Sequence, residues 1–286
     1  MILLTGATGS IGGHLVRQLR AEGVPFTAFV RDAAKGRELG CDFVVGDFDA
    51  PDSVASAMRG VDRVFLNGAG AVPTDGEQPM VRQQRTVIDA ARAAGVERVV
   101  KVSVWHARPE GRLAQAAHWA IEEYLRASGL TWSLLQPSGF MQNFATGAGT
   151  FRQDGSLIAA EPDAPVSYVD CQDIAACAAA LLTSVDGAGR TFVPTGPEAL
   201  TMREVAEQLA DTLGRPVRTV ALHPEAMAAQ LKEQGLPAQF SDDVAFLWGE
   251  VGQGTLSATT TAVADLTGRK PRTLREFLAD NREAFA

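Results

Sequence analysis

A glycine-rich turn, Thr5-Gly6-Ala7-Thr8-Gly9-Ser10-Ile11-Gly12, stands directly behind the apolar run Met1-Ile2-Leu3-Leu4 and ahead of a helical segment, residues 13–19. This order builds a phosphate site: a buried strand delivers the chain to a turn where glycines allow close backbone approach, and the next helix presents free N–H groups and its positive dipole end. The spacing is G-x-x-G-x-x-G, on Gly6, Gly9 and Gly12. A second strand, Phe26-Thr27-Ala28-Phe29-Val30, begins fourteen residues past Gly12, the context in which such a turn binds a dinucleotide.

Strand-like and helix-like segments alternate through the first half. After the strand at 26–30 come a helix at 33–39, a strand Phe43-Val44-Val45, a helix entered at Pro51 and ended by Gly60, and a strand Arg63-Val64-Phe65-Leu66. A helix at about 78–94 leads to a strand at 98–104, and a helix at about 113–128 to a strand at 131–135. This alternation predicts an α/β fold, a Rossmann-type doubly wound parallel sheet with ligands beyond the carboxyl ends of its strands. Past Pro137 the rhythm breaks. Residues 1–138 are expected to form the nucleotide-binding domain, with an alanine-rich helix and a strand in 166–191 packing back on it. Residues 139–165 and 192–286 are expected to form a smaller, interleaved substrate-side domain. Thr201 and Glu204 have the spacing of a helix capping box, and Gly235 to Phe240 reads as a Gly/Pro-interrupted stretch.

The chain has 286 residues, 46% hydrophobic and 21% charged, with a formal net charge of -8. An acidic chain with scattered Lys and Arg offers no electrostatic footprint for nucleic acid or anionic lipid, so the expected partner is a small molecule, apolar or aromatic. Cys41, Cys171 and Cys177 form no C-x-x-C pair, and an odd count fits reduced thiols. A core strand starting at Met1 leaves no room for a targeting peptide, and no apolar run reaches membrane-spanning length. A cytoplasmic protein is expected; its oligomeric state stays open.

Cofactor choice turns on the end of the second strand. A carboxylate there accepts from a ribose 2′-OH, whereas an arginine pairs with a 2′-phosphate. The chain reads Val30-Arg31-Asp32-Ala33-Ala34-Lys35; Arg31, with Lys35 nearby, favours NADP, and Asp32 leaves NAD open. With Gly6, Thr8, Gly9, Ser10, Ile11 and Gly12 around the pyrophosphate, Asp47 and Phe48 are placed at the adenine. Asn67 and Gly68 are placed under the nicotinamide half.

These segments, together with Gly46-Asp47-Phe48-Asp49, Val99-Val100-Lys101-Val102-Ser103, His118 with Glu122, and Gln136-Pro137-Ser138-Gly139-Phe140-Met141-Gln142-Asn143-Phe144, carry a resemblance. It continues through Val169-Asp170-Cys171-Gln172-Asp173-Ile174-Ala175, Thr195-Gly196-Pro197-Glu198-Ala199-Leu200 and Leu266-Thr267-Gly268-Arg269-Lys270-Pro271-Arg272-Thr273. Over nearly its whole length the chain resembles the NmrA-like branch of the atypical short-chain dehydrogenases. Within that branch it is most similar to NAD(P)H-dependent quinone reductases, triphenylmethane-dye reductases and festuclavine/agroclavine-type reductases, alongside non-catalytic nucleotide sensors. The resemblance implies a Rossmann fold with a small carboxyl-terminal domain, and leaves reductase and redox sensor both open.

Short-chain dehydrogenases generally use a tyrosine and, four residues later, a lysine. Those positions fall here on Ala114 and His118, so a simple ketone would lack general acid help worth ~10²–10⁴-fold. The expected acceptors are instead ones that stabilise or neutralise incoming hydride: a quinone, an iminium or a similar conjugated or cationic molecule. His118 and Ser103 are the candidate catalytic residues, His118 as a partner of the nicotinamide ribose or a proton carrier. Trp105, Phe140, Met141, Asn143 and Phe144 are the candidate substrate pocket, following strand ends where substrate lies in this architecture. His106 is a weaker candidate, and Lys101 is placed toward the sheet face. No His, Cys and carboxylate cluster has metal-ligand spacing, so no metal is expected.

Overall fold

The computed structural model describes residues 1–74, 76–146, 151–152 and 154–285. Seven strands form the main sheet: β1 (Ile2–Leu4), β2 (Phe26–Val30), β3 (Phe43–Val45), β4 (Arg63–Leu66), β5 (Arg98–Val102), β6 (Thr131–Leu135) and β8 (Arg190–Phe192). Their order is β3-β2-β1-β4-β5-β6-β8, and every pairing is parallel. A second sheet pairs β7 (Ser156–Ala159) with β9 (Arg218–Ala221), also in parallel. The helices are α1 (Ser10–Ala21), α2 (Ala33–Glu38), α3 (Pro51–Ala57), α4 (Pro79–Ala93), α5 (Ala114–Ala127), α6 (Gln142–Ala145) and α7 (Cys171–Thr183). They continue with α8 (Met202–Leu213), α9 (Pro224–Glu233), α10 (Ala238–Gly252), α11 (Ala262–Thr267) and α12 (Leu274–Asp280).

Two compact units result. Unit 1 holds residues 1–72, 77–137 and 174–193; unit 2 holds 73–76, 138–173 and 194–286. In unit 1 the strand residues Leu3, Val64, Leu66, Val99 and Leu134 bury themselves against Val54 and Met58 of the α3 region, Val81, Val87 and Ile88 of α4, and Ile121 and Leu125 of α5. At about 25 cal/mol per Å² of apolar surface removed from water, this layer is the main stabilising contribution. The start of β5 is tied down differently: the Arg98 guanidinium donates to the carbonyls of Leu181, Ser184, Val185 and Asp186 at 2.6–3.0 Å, satisfying carbonyls at the end of α7.

In unit 2, Leu157 and Ala159 of β7 pack with Val205 and Leu209 of α8, Phe277 and Leu278 of α12, and Met141 and Phe144. Both α8 and α12 start with capping boxes, Thr201 with Glu204 and Thr273 with Glu276. The Asp170-to-Asp173 turn is bound by Arg272, whose Nε donates to Asp170 (2.8 Å) and whose backbone N–H donates to Asp173 (2.7 Å). The stretch around 235–240 departs from the expected interruption. Gly235, with φ +83°, ends one helix and Pro237 caps the next, so the break is the turn between α9 and α10. Positions 147–150 and 153 of the expected substrate-side segment lie outside the described residues. Among the described residues no helix is long and apolar enough to cross a membrane.

Candidate functional site

The strand order reverses between β1 and β4, and there the carboxyl ends of β1, β2 and β4 frame a cleft of ≈ 240 Å³ within unit 1. Gly6, Thr8 and Gly9 line it from the first turn, Arg31 from the end of β2, Asp47 and Phe48 from beyond β3, and Asn67 and Gly68 from beyond β4. Gly9 is the N-cap of α1 and places no side chain over the helix end, so the N–H groups of Ser10, Ile11 and Gly12 have no intrahelical acceptor. Gly12 makes the turn possible: a Cβ there would stand 2.1 Å from Gly6 O and 2.7 Å from Ala7 Cα. At Gly9 a Cβ would meet only Gly6 O, at 3.4 Å, and otherwise the open cleft. Thr5, which the sequence reading passed over, joins the strand ends. Its Oγ1 lies 2.7 Å from Asn67 O and accepts from Asn67 N–H at 2.9 Å.

Arg31 is exposed on the cleft wall. Its neighbour Asp32 is occupied as the N-cap of α2, accepting from Ala34 N–H at 2.7 Å. Lys35 sits on α2, exposed and outside the cleft lining. Asp47 is fixed by accepting from Asp49 N–H (2.9 Å), and the Phe48 ring stacks on Phe29 with centroids 5.6 Å apart. An open helix N-terminus, a glycine at its mouth, a guanidinium on the wall and an aromatic face fit an extended phosphorylated dinucleotide. Asp32, whose Oδ1 caps α2, is not among the residues that line the cleft.

At the carboxyl end of β5, two buried polar contacts reach α5. Lys101 Nζ donates to Val102 O at 2.9 Å and lies 2.8 Å from His118 Nδ1. Ser103 Oγ donates to Glu122, whose carboxylate also accepts from Gln136 Nε2 (2.9 and 3.1 Å) and from Arg126 (2.9 Å). Lys101 is 0% exposed, Glu122 1%, Ser103 2% and His118 8%. Burial pushes the Lys101 ammonium down to about 7, against the pull of the Glu122 carboxylate. Burial, then the Lys101 charge, hold His118 well below the usual imidazole value. His118 Nε2 makes no hydrogen bond among the described residues. Lys101 thus points from β5 to α5, and neither its contact with His118 nor the grip of Gln136 on Glu122 was anticipated from sequence.

The remaining candidates divide between the units. Trp105 stacks on His106 at 4.8 Å in unit 1. In unit 2, Met141 and Phe144 are closed into the core, Phe144 edge-on to Tyr168 at 4.8 Å, while Phe140 is half-buried and Asn143 exposed. Among the described residues no group of three His, Cys, Asp or Glu is placed to hold a metal ion.

The NmrA-like family model matches residues 1–278. The NAD(P)H azoreductase of Xenophilus azovorans is 35% identical over 290 residues, covering 100% of this chain and 99% of its own. The (4-alkanoyl-5-oxo-2,5-dihydrofuran-3-yl)methyl phosphate reductase of Streptomyces griseus subsp. griseus is 35% identical over 294 residues, covering 100% and 99%. Among solved structures, the NADPH-dependent quinone oxidoreductase of Escherichia coli complexed with NADPH matches with a TM-score of 0.83 at 29% identity, covering 98% of this chain and 99% of that one.

Proposed function

The chain belongs to the NmrA-like family, and from that premise we propose that it is an NADPH-dependent reductase of planar conjugated acceptors such as quinones, iminium ions and related unsaturated compounds. The observation that carries the reading is the cleft at the strand-order reversal, where Arg31 stands on the wall and Asp32, its Oδ1 capping α2, lies outside the lining. That division of labour favours the 2′-phosphate of NADP over the bare ribose of NAD. The first-turn N–H groups of α1, with Gly6, Thr8 and Gly9, receive the pyrophosphate. Asp47 and Phe48 hold the adenine, Lys35 adds positive charge behind Arg31, and Asn67 and Gly68 support the nicotinamide half. When bound, the cofactor supplies a hydride. The relatives add support through their named activities, an NAD(P)H azoreductase, a (4-alkanoyl-5-oxo-2,5-dihydrofuran-3-yl)methyl phosphate reductase and an NADPH-dependent quinone oxidoreductase.

The protein's own task is then positioning and exclusion of water. Trp105, in unit 1 just past β5, is assigned to the acceptor. Ser103, held on Glu122, fixes the α5 end of β5 against which His118 acts. The test is NADPH oxidation followed across a panel of quinones, azo dyes, cyclic iminium ions and triarylmethyl cations, with NADPH binding measured in parallel. Turnover of at least one conjugated acceptor, with none of unactivated aliphatic ketones, is expected. Tight NADPH binding without turnover of any acceptor would replace the enzyme by a nucleotide sensor.

A further inference from the structure

We propose that Lys101 and His118 form a proton relay in place of the missing tyrosine and lysine, Lys101 setting the His118 tautomer and His118 Nε2 handing a proton to the acceptor. The inference rests on the reductase reading and deepens it: the relay serves those acceptors, such as quinones, azo bonds and enones, whose reduction leaves an anion on nitrogen or oxygen, and is idle for cations that hydride itself neutralises.

The geometry argues it in three steps. Lys101 Nζ bonds to Val102 O and to His118 Nδ1. An ammonium has donors and no acceptor, so the facing Nδ1 is the imidazole's acceptor atom and its single proton sits on Nε2. Nε2 in turn carries no hydrogen bond among the described residues, and His118 keeps 8% exposure where Lys101, Ser103 and Glu122 keep 2% or less. Lys101 is paired in register with Leu66, the residue before Asn67 and Gly68 of the cofactor cleft, so the dyad stands one strand from that cleft within the same unit. The titratable and charged groups around Lys101 are His118 and Glu122 of α5, with Arg126 held on Glu122. Its strand neighbours Leu66 and Leu134 are apolar.

The step balances. The acceptor takes up hydride at one end of its conjugated bond, and the π pair moves to the nitrogen or oxygen at the other end. That atom takes the Nε2 proton while Nδ1 takes a proton from Lys101, so the imidazole stays neutral throughout and the lysine becomes an amine. Water afterwards returns a proton through Nε2. The charge that leaves Lys101 is the one that burial already disfavours, and burial brings its titration to about 7.

The experiment combines a spectroscopic and a kinetic arm. In protein labelled with ¹⁵N-histidine and saturated with NADP⁺, the His118 resonances should show Nε2 protonated and Nδ1 bare on the acid side of the Lys101 titration, with the bias weakened in Lys101→Met. In turnover with a para-benzoquinone and a triarylmethyl cation, quinone kcat should fall as pH rises through about 7, where Lys101 loses its proton, and dye kcat should not follow it. Lys101→Met should lower the quinone-to-dye ratio of kcat by about 10-fold or more. Lys101→Arg should keep the tautomer but not the ratio, since a guanidinium donates to Nδ1 without releasing a proton. His118→Gln, a neutral substitution on the helix, should lower the ratio equally and covers the case in which Lys101→Met does not fold. A wild-type imidazole protonated on Nδ1, or equal kcat losses with both acceptors in these variants, overturns the relay. Absence of turnover with every acceptor sinks the reductase reading, while the tautomer measurement still decides the dyad, so the two failures are told apart.

Discussion

The two halves of the strand-end surface in unit 1 are built on opposite principles. Around β1, β2 and β4 the cleft opens onto glycines and the N–H groups at the start of α1, with the Arg31 guanidinium exposed on the wall. Around β5 and β6 the polar groups are side chains, buried and bonded to one another. An exposed charge lends affinity to a charged ligand; a buried one is displaced toward neutrality and becomes a proton carrier. The same sheet edge therefore offers a binding half and a proton-handling half.

The comparison breaks most visibly at the glycines. Gly12→Ala forces a Cβ to within 2.1 Å of Gly6 O, backbone against backbone, and should destabilise unit 1 by about 3 kcal/mol or more. Gly9→Val should leave the urea midpoint nearly unchanged and abolish NADPH and NADH binding alike, because its side chain enters the cleft and not the fold. If Gly9→Val retains binding, the cofactor does not lie on this helix end.

On the buried half, Glu122→Gln keeps size and removes charge. Arg126 loses its ionic partner and the new amide presents a donor to Gln136 Nε2 and Ser103 Oγ. Bonds to a buried charge are worth about 1.5–3 kcal/mol, and Arg126, about a third exposed, recovers part of its loss in water. A loss of about 2–3 kcal/mol in urea unfolding is expected. A loss within error would mean that the carboxylate network does not hold α5 to β5.

Much of the binding half was legible because local sequence specifies it. β2, β3, β4 and β6 lie where their apolar runs place them, and Arg31 follows a recognisable strand. β7 is not legible in the sequence: Ser156-Leu157-Ile158-Ala159 pairs along its length with β9, 62 residues away in its register (Ser156 with Arg218), with an isolated bridge from Leu157 to Phe151, so tertiary contact and not propensity makes it a strand. α10 is not legible in the sequence because Gly235 and Pro237 read as interrupting one stretch, whereas they separate two helices. The Lys101 contact had a usable signal. Residues two apart on a strand are about 6.6 Å apart, and residues four apart on a helix rise about 6 Å, so Lys101 and Ser103 can face His118 and Glu122 as two rungs. What the spacing does not contain is which face of β5 meets α5, and that is set by the packing of the whole layer.

Arg31→Ala sharpens the comparison from the exposed side. Its contact with a 2′-phosphate is charge-assisted, so NADPH binding should weaken by about 1.5–3 kcal/mol with NADH nearly unchanged, as measured by titration calorimetry. The loss should shrink with added salt, as befits an exposed charge. The Lys101-dependent pH profile, arising from a buried charge, should be nearly insensitive to salt. Equal losses for both nucleotides would move the 2′-phosphate away from Arg31.

The smallest effect separates glycines that serve the ligand from one that serves nothing in the cleft. Gly13 lies in the first turns of α1, one residue past Gly12. Its φ is not in the left-handed region, and a Cβ there would meet only Arg17 Nη1, at an ordinary 3.6 Å. Helical glycine costs roughly 0.5–1 kcal/mol relative to alanine through the freedom it loses on folding. Gly13→Ala should therefore raise stability by about 0.5–1 kcal/mol, opposite in sign to Gly12→Ala, with NADPH affinity unaltered. A stabilised variant that binds NADPH normally would localise the ligand's demand for small residues to Gly6, Gly9 and the turn they form; a stabilised variant with weakened binding would extend the phosphate contact one residue further along α1 than the cleft geometry allows.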